Sequence, residues 1–160
     1  MKRALLVVLL AACGAGGGRP SGPLGGTVSL ILPAADGGEI DFTRMRGRLI
    51  VVHVFATWSL ASQADVEQLD AIATGDPTVA VVGLAVDLDG SVVVPPWQRG
   101  SGATYPIALA DDAVRAGRSP IGTIEEVPMT LILDRSGGIV KRHVGPLPAG
   151  ALATWLGEQR

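Results

Sequence analysis

The sequence predicts an α/β fold, because two buried strands flank an amphipathic helix and a further pair of strands follows near the end of the chain. Residues 49–55 are almost all β-branched or apolar, which is typical of a strand covered on both faces. Residues 78–86 have the same character. A strand, a helix and a strand in this order normally form a right-handed crossover, which makes the two strands parallel.

A β-hairpin is expected ahead of the central strand. Residues 28–32 form a short apolar run that ends at Pro33, and residues 39–42 alternate polar and apolar side chains. The Asp36-Gly37-Gly38 sequence between them is a strong turn signal. The hairpin would lead through a polar turn into the central strand.

One helix is predicted from Ser59 to about Ala73, directly after the central strand. The Ser59 hydroxyl can accept a hydrogen bond from a free backbone N–H of the first turn, which makes Ser59 a good N-cap. Six apolar residues approximate one helical face: Ala61, Ala64, Val66, Leu69, Ile72 and Ala73. The Gly-Asp-Pro sequence that starts at Gly75 would end the helix.

The second half of the chain predicts shorter elements. They are a short helix that begins near Pro95, a capped helical turn at residues 111–117, an antiparallel strand pair at 131–134 and 139–144, and an amphipathic helix at 149–159. No internal repeat accompanies them.

The N-terminus predicts a secretion signal that ends in a lipid-modified cysteine. Lys2 and Arg3 precede an apolar run at residues 4–10, which is far short of the ~20 residues that a transmembrane helix needs. Leu10-Ala11-Ala12-Cys13 resembles a bacterial lipobox, in which the cysteine is acylated and becomes the first mature residue. The alternatives are an ordinary cleaved signal and a cytosolic apolar leader.

The chain is accordingly divided into three parts. Residues 1–12 are the predicted signal peptide, 13–26 the lipidated Cys13 with a flexible Gly-rich tether, and 27–160 one folded domain of ordinary size. This organisation predicts a lipid-anchored protein on the extracytoplasmic, periplasmic side of the bacterial cell envelope, with the membrane as a partner through Cys13.

Charge and cysteine content exclude several functions. A net charge of -2 and a pI near 5.6 provide no basic footprint for a nucleic-acid partner. Cys13 is the single cysteine, which excludes an intramolecular disulfide, a dithiol cycle and a thiolate-rich metal site. Six basic residues cluster loosely and are interpreted as solvated side chains at strand ends: Arg44, Arg46, Arg48, Arg135, Lys141 and Arg142.

Two separated motifs carry a resemblance to a known family. Ala56-Thr57-Trp58 precedes the predicted helix, and Val127-Pro128-Met129-Thr130 precedes a late strand about 70 residues further on. With the hairpin and the crossover, they make the domain resemble the thioredoxin fold. More narrowly, the domain resembles the TlpA/ResA-like extracytoplasmic thiol–disulfide oxidoreductases of the redoxin type. The resemblance covers residues 27–159 and implies a three-layer α/β/α sandwich with a central mixed sheet and an N-terminal β-hairpin.

The resemblance also implies a binding groove. In that family the Val-Pro bond is cis and the proline borders the substrate groove, so Pro128 is expected to be cis. Trp58, Val127, Pro128 and Met129 are then expected to line the groove. The alternatives are a trans proline at the start of a strand and a Trp58 that fills the core.

The departures from the family concern its chemistry. Ser59 and Ser62 occupy the two cysteine positions of the Cys-x-x-Cys motif, and a serine hydroxyl neither ionises near neutral pH nor forms a disulfide. No catalytic residue is therefore assigned, and no cofactor or metal is expected. His53 is expected to be a buried polar residue under the site. Its alternative role is the base of a Ser–His dyad, for which the sequence offers no orienting acid.

These observations favour a membrane-tethered, thioredoxin-like lipoprotein without a redox dithiol, which binds a peptide or protein partner of the envelope at the former active-site groove. One alternative is a thiol–disulfide oxidoreductase or redoxin-type antioxidant protein in envelope redox homeostasis, as the resemblance implies. Another is a purely structural role in an envelope complex.

Overall fold

The computed structural model describes residues 26–160. The expectations for residues 1–25, which comprise the signal peptide, the lipidated Cys13 and nearly all of the tether, lie outside the described residues. The first backbone pairing is at Thr27, which bridges to Gly138.

Seven strands and five helices follow in the described part of the chain, with one additional 3₁₀ helix at Phe42–Met45. They are β1 (Ile31–Pro33), β2 (Glu39–Asp41), β3 (Leu49–Phe55), α1 (Leu60–Ala64), α2 (Val66–Gly75), β4 (Val79–Ala85), α3 (Gly90–Ser101), β5 (Ile107–Leu109), α4 (Asp112–Arg115), β6 (Met129–Leu133), β7 (Ile139–Val144) and α5 (Ala151–Gly157).

The main sheet has five strands in the order β5-β4-β3-β6-β7. Strand β3 pairs in parallel with β4 over its whole length, and β5 continues the parallel side. Strands β6 and β7 add antiparallel pairs on the other side. Strands β1 and β2 form the N-terminal hairpin. The predicted α/β fold with a mixed central sheet and an N-terminal hairpin is confirmed.

Each face of the sheet has its own hydrophobic core, because successive residues of a strand point to opposite faces. Ile50, Val52 and Val54 of β3 pack beneath the hairpin and α4. Leu49, Val51 and Phe55 lie on the other face, beneath α2, α3 and α5. Strand β3 is fully buried as a result, which explains its nearly unbroken apolar sequence.

The single helix predicted for residues 59–73 is wrong, because the chain forms two helices that meet at Asp65. This aspartate is buried, and its carboxylate accepts a hydrogen bond from the backbone N–H of Leu147 at 2.9 Å. The contact spans 82 positions of the sequence. The hydrogen bond stabilises the break between α1 and α2. Because its donor is distant in the sequence, local sequence patterns cannot reveal it.

The predicted start of the next helix near Pro95 is also wrong, since α3 begins at Gly90. Pro95 and Pro96 lie inside the helix, where they cannot donate to the carbonyls of Ser91 and Val92. Both of these residues are exposed, so water can satisfy their carbonyl groups. The prolines are tolerated on the solvent side of the helix.

Smaller shifts affect the two ends of the domain. The predicted strand at 28–32 lies further along, at Ile31–Pro33, while Val28 instead donates its N–H to the Gly137 carbonyl at 2.8 Å. The last helix is shorter than the predicted 149–159 and covers Ala151–Gly157. Within residues 26–160, no helix has the length and apolar character to cross a membrane.

We expect Asp65→Ala to lower the free energy of unfolding by about 1–3 kcal/mol, because the buried Leu147 N–H would lose its acceptor. Asp65→Asn retains an acceptor oxygen and removes a buried carboxylate, so its loss should be smaller. Urea denaturation at pH 7 measures both variants. Equal losses would show that the bond to Leu147 does not stabilise the break between the helices.

Candidate functional site

The candidate site lies where the parallel strands end and the loop after β3 enters α1. Ser59 caps α1, because its hydroxyl oxygen accepts a hydrogen bond from the Ser62 N–H at 3.2 Å. Thr57 donates to the Asp87 carboxylate from its backbone N–H at 3.1 Å and from its hydroxyl at 2.7 Å. The loops after β3 and β4 are therefore joined directly beside Trp58.

The two serines at the cysteine positions are both buried, and they form a structural helix cap. The Ser59 hydroxyl is the cap acceptor, and the Ser62 hydroxyl has no hydrogen-bond partner among the described residues. Neither group is a thiol, and a helix N-terminus, which contributes at most ~2 kcal/mol to a nearby charge, does not ionise an alcohol near pH 7. The start of α1 therefore carries two buried hydroxyl groups and no ionised nucleophile.

His53 lies fully buried in β3, opposite Thr130 of β6. Its Nδ1 is 3.2 Å from the Thr130 hydroxyl, and its Nε2 has no hydrogen-bond partner in the part of the chain that the structure describes. Burial lowers the pKa of His53 to about 4, and a hydrogen bond with the Ser62 backbone acts in the opposite direction. The imidazole is therefore neutral near pH 7.

The alternative Ser–His dyad is not formed in this arrangement. The hydroxyl of Ser62 has no partner among the described residues, and that of Ser59 serves the helix cap, so neither serine hydroxyl is hydrogen-bonded to His53. No carboxylate is hydrogen-bonded to the imidazole, so nothing orients it as a base. His53 is a packing residue under the site, stacked at 6.0 Å on Phe55.

Trp58 is 74% exposed and does not fill the core. It borders an open, largely apolar depression of about 380 Å³, which we call the Trp58 groove. The groove is lined by Trp58, Val86, Ile124, Glu125, Glu126 and Val127. An exposed tryptophan ring beside an apolar depression is a typical feature of a protein-binding surface.

The segment from Ile124 to Val127 lines the groove and has free backbone groups. From Ile124 to Val127, no N–H or C=O forms a hydrogen bond with any described residue. The Val127–Pro128 bond is cis, and the Pro128 carbonyl accepts from the Gly145 N–H at 2.8 Å. These free backbone groups at the surface can hydrogen-bond to the backbone of a partner segment.

The remaining residues expected in the groove do not reach its surface. Pro128 is buried, and Met129 is buried in the core, where its sulfur lies 2.9 Å from an Arg142 guanidinium nitrogen. Met129 begins β6 opposite Val54, so its side chain points into the sheet's packed face. The expectation that the Met129 side chain lines the groove is wrong.

Three exposed apolar side chains near this end were not identified from the sequence. Leu60 is 83% exposed, Leu88 is 85% exposed and Val92 is 70% exposed. They follow the carboxyl ends of β3 and β4, the edge at which open α/β sheets bind ligands. Their position directly after the two buried strands is the signal that could have identified them.

The groove is acidic at its rim. Glu125 and Glu126 line it, and neither lysine nor arginine is among its lining residues. Asp87 and Asp89 lie in the adjoining loop after β4. Across residues 26–160, no group of three or more His, Cys, Asp or Glu side chains is placed to hold a metal ion.

A larger depression of about 550 Å³ lies elsewhere, between the N-terminal hairpin and β5. Its lining is mixed, with apolar residues beside the charged Asp36, Glu39, Asp41 and Arg44. It contains none of the residues predicted for the site. We therefore do not assign the site to this larger space.

We expect acid to destabilise the protein between pH 6.5 and pH 4 through His53. Since its pKa is lowered to about 4, the unfolded chain binds a proton in this range that the folded chain excludes. The stability that neutral His53 provides is complete above pH 6.5 and falls by about 3 kcal/mol at pH 4. Urea midpoints at both ends of this range measure the loss.

The matched variant is His53→Asn, which retains a polar group for Thr130 but does not titrate. Its stability should depend less steeply on pH over the same range. Burial raises the pKa of Asp65, which acts in the opposite direction, but this effect is common to both proteins. An unchanged pH dependence in His53→Asn would show that His53 is not the responsible group.

The comparisons with known proteins found structural neighbours but no sequence relatives. No family model matches the chain, and no curated protein is similar to it. A thiol:disulfide interchange protein of Chlorobium tepidum is 21% identical, with a TM-score of 0.72 over 90% of this chain and 99% of its own. A thiol-disulfide isomerase of Corynebacterium glutamicum is 20% identical, with a TM-score of 0.69 over 85% of this chain and 96% of its own.

A secreted disulfide oxidoreductase of Mycobacterium tuberculosis is 17% identical, with a TM-score of 0.65 over 81% of this chain and 92% of its own. These structural neighbours are thiol–disulfide proteins, and each matches most of the described domain. At this level of sequence identity the likeness extends to the fold. The chain therefore has the thioredoxin fold, as its sequence predicts.

Proposed function

We propose that this chain is a membrane-tethered thioredoxin-fold protein of the bacterial envelope. It binds an extended segment of a partner protein at the Trp58 groove and does not exchange disulfides. The observation that carries the proposal is the pairing of an exposed Trp58 with the unpaired backbone of residues 124–127 across one apolar depression.

The binding mode follows from the two walls of the groove. A partner segment in extended conformation can hydrogen-bond to the free N–H and C=O groups between Ile124 and Val127. Its alternate side chains then point toward the groove, where one apolar side chain can pack against the Trp58 ring. Leu60 and Leu88 offer further apolar surface at the same end of the sheet.

The charges at the rim of the groove determine which residues are favoured on either side of the central apolar side chain of that segment. Glu125 and Glu126 line the groove and no lysine or arginine lines it, so they favour lysine or arginine beside the apolar side chain and disfavour acidic flanks. The partner is therefore a segment with a central apolar residue and basic neighbours.

Disulfide chemistry, which the names of the structural neighbours suggest, lacks its reactive group here. The positions for the dithiol hold Ser59 and Ser62, and the single sulfhydryl of the sequence is that of Cys13, outside the domain. An active oxidoreductase would need a thiol from another molecule. The family activity therefore remains the alternative, and it is tested directly below.

The anchoring part of the proposal is supported by the sequence motif at Cys13. An acylated Cys13 would hold the domain at the membrane through a Gly-rich tether, because each buried acyl CH₂ contributes about 0.8 kcal/mol of membrane affinity. The secreted neighbour from Mycobacterium tuberculosis is consistent with a protein that works outside the cytoplasm. Mass spectrometry of the membrane fraction tests for the acyl chains.

Peptide binding tests the groove. The probes are synthetic peptides with a central leucine or phenylalanine flanked either by lysines or by glutamates, and calorimetry gives their affinities. We expect Trp58→Ala to weaken binding of the lysine-flanked peptides by about tenfold or more, as for the anchor residue of an interface. The control Ile31→Ala removes an apolar side chain that is 59% exposed on the hairpin and should bind as the wild type does.

A second pair of substitutions tests the preference for basic flanking residues. Glu125→Gln/Glu126→Gln should reduce the difference between lysine-flanked and glutamate-flanked peptides. If neither peptide set binds, or if Trp58→Ala and Ile31→Ala behave alike, the Trp58 groove is not the binding site.

Insulin reduction with dithiothreitol tests the alternative function. We expect the wild type to match the background rate, because Ser59 and Ser62 cannot form a mixed disulfide. The double variant Ser59→Cys/Ser62→Cys restores both thiols at the start of α1 and should raise the rate. Equal activity of the wild type and the double variant above background would establish an oxidoreductase that works without the dithiol.

A further inference from the structure

The end of the sheet opposite the Trp58 groove carries a cluster of four arginines, which we call the basic end: Arg46, Arg48, Arg135 and Arg160. Arg48 directly precedes β3, and Arg135 follows the end of β6. The Gly47 N–H donates to the Arg135 carbonyl at 2.9 Å, so the loops that bear Arg46, Arg48 and Arg135 are in contact. Arg160 joins them after α5 through its ion pair with Asp76.

The basic end has a net positive charge although the chain as a whole is at -2. The carboxylates beside the arginines are Asp76, Asp134 and the α-carboxylate of Arg160, so four positive charges against three negative ones leave +1. Asp76 is held by Arg160 and Thr78, and Asp134 accepts from the Ser136 and Gly138 N–H groups of its own turn. The nearby Lys141 and Glu158 pair at 3.8 Å and cancel.

The chain enters the domain at this same end. Thr27 bridges to Gly138, Val28 donates to the Gly137 carbonyl, and an Arg46 guanidinium nitrogen donates to the Ser29 hydroxyl at 2.9 Å. A membrane anchor N-terminal to Thr27 would therefore hold the basic end closer to the membrane than the Trp58 groove.

We infer that the basic end docks on the anionic lipid headgroups of the membrane that anchors the chain. The inference rests on the anchoring part of the proposed function. Each arginine close to an anionic surface favours binding by about fivefold, and the effect falls off within a Debye length of about 10 Å. The acidic loops around the Trp58 groove are repelled by the same surface, so the domain stands with its groove away from the bilayer.

Fluorescence quenching on vesicles tests this orientation in the full chain, acylated at Cys13. One fluorescent label is attached to a cysteine introduced by Ser136→Cys, at the basic end, or by Leu88→Cys, at the groove end. Labelling is specific because the acylated chain has no other thiol. The vesicles are phosphatidylcholine alone or three parts phosphatidylcholine to one part phosphatidylglycerol, each with a headgroup nitroxide quencher. At Ser136→Cys, we expect quenching to be several-fold stronger on vesicles with phosphatidylglycerol than on phosphatidylcholine alone. This increase should disappear at about 0.5 M salt, and no such increase is expected at Leu88→Cys.

Substitutions that remove positive charge test which arginines are responsible for the phosphatidylglycerol-dependent quenching. Arg46→Gln/Arg135→Gln should abolish the phosphatidylglycerol-dependent quenching. Arg99→Gln/Arg118→Gln removes two exposed arginines elsewhere and should leave it intact. Equal quenching at both labels, no effect of lipid charge, or equal behaviour of the two charge variants would overturn the inference.

A further experiment distinguishes docking of the basic end on lipid from anchoring through Cys13. If mass spectrometry finds no acyl chain on Cys13, the anchoring proposal fails, and the Cys13→Ser chain is sedimented with the same vesicles. Binding that requires phosphatidylglycerol and falls by about tenfold or more in Arg46→Gln/Arg135→Gln would still establish the lipid-binding surface. Binding that is independent of phosphatidylglycerol, or absent, would reject it.

Discussion

Strand β3 is the element on which both ends of this protein depend. It lies at the centre of the five-stranded sheet, pairs in parallel with β4 and antiparallel with β6, and is buried along all seven residues. Its backbone hydrogen bonds are therefore satisfied on both sides and its side chains on both faces. Because the strand cannot shift without breaking two ladders, the loops at its ends are held about 20 Å apart. One end carries the Trp58 groove and the other carries the basic end.

The start of α1 shows how a serine at this position serves the fold. Serine is among the best N-cap residues, and Ser59 accepts a hydrogen bond from the Ser62 N–H as a cap should. The cap therefore stabilises the start of α1 without a thiol. Nothing in the packing of β3, α1 or Trp58 requires sulfur.

The sequence predicts well wherever one pattern acts over a continuous segment. The buried run of β3, the Ser59 cap and the Asp36 turn all depend on near neighbours, and each lies where it was expected. The break at Asp65 could not be predicted, because the bond that fixes it comes from Leu147. The start of α3 was missed because the prolines face solvent, which only the tertiary structure reveals.

The bonds from Thr57 to Asp87 have a consequence for how the groove recognises a ligand. Two hydrogen bonds to one buried carboxylate join the loop that carries Trp58 to the loop that follows Val86, and both residues line the groove. These two parts of the lining therefore cannot move independently. A surface that is already ordered loses little conformational entropy when a partner arrives, so most of the contact energy is expressed as affinity. Such preorganisation also discriminates, because a segment of the wrong shape meets a rigid surface that does not adapt to it.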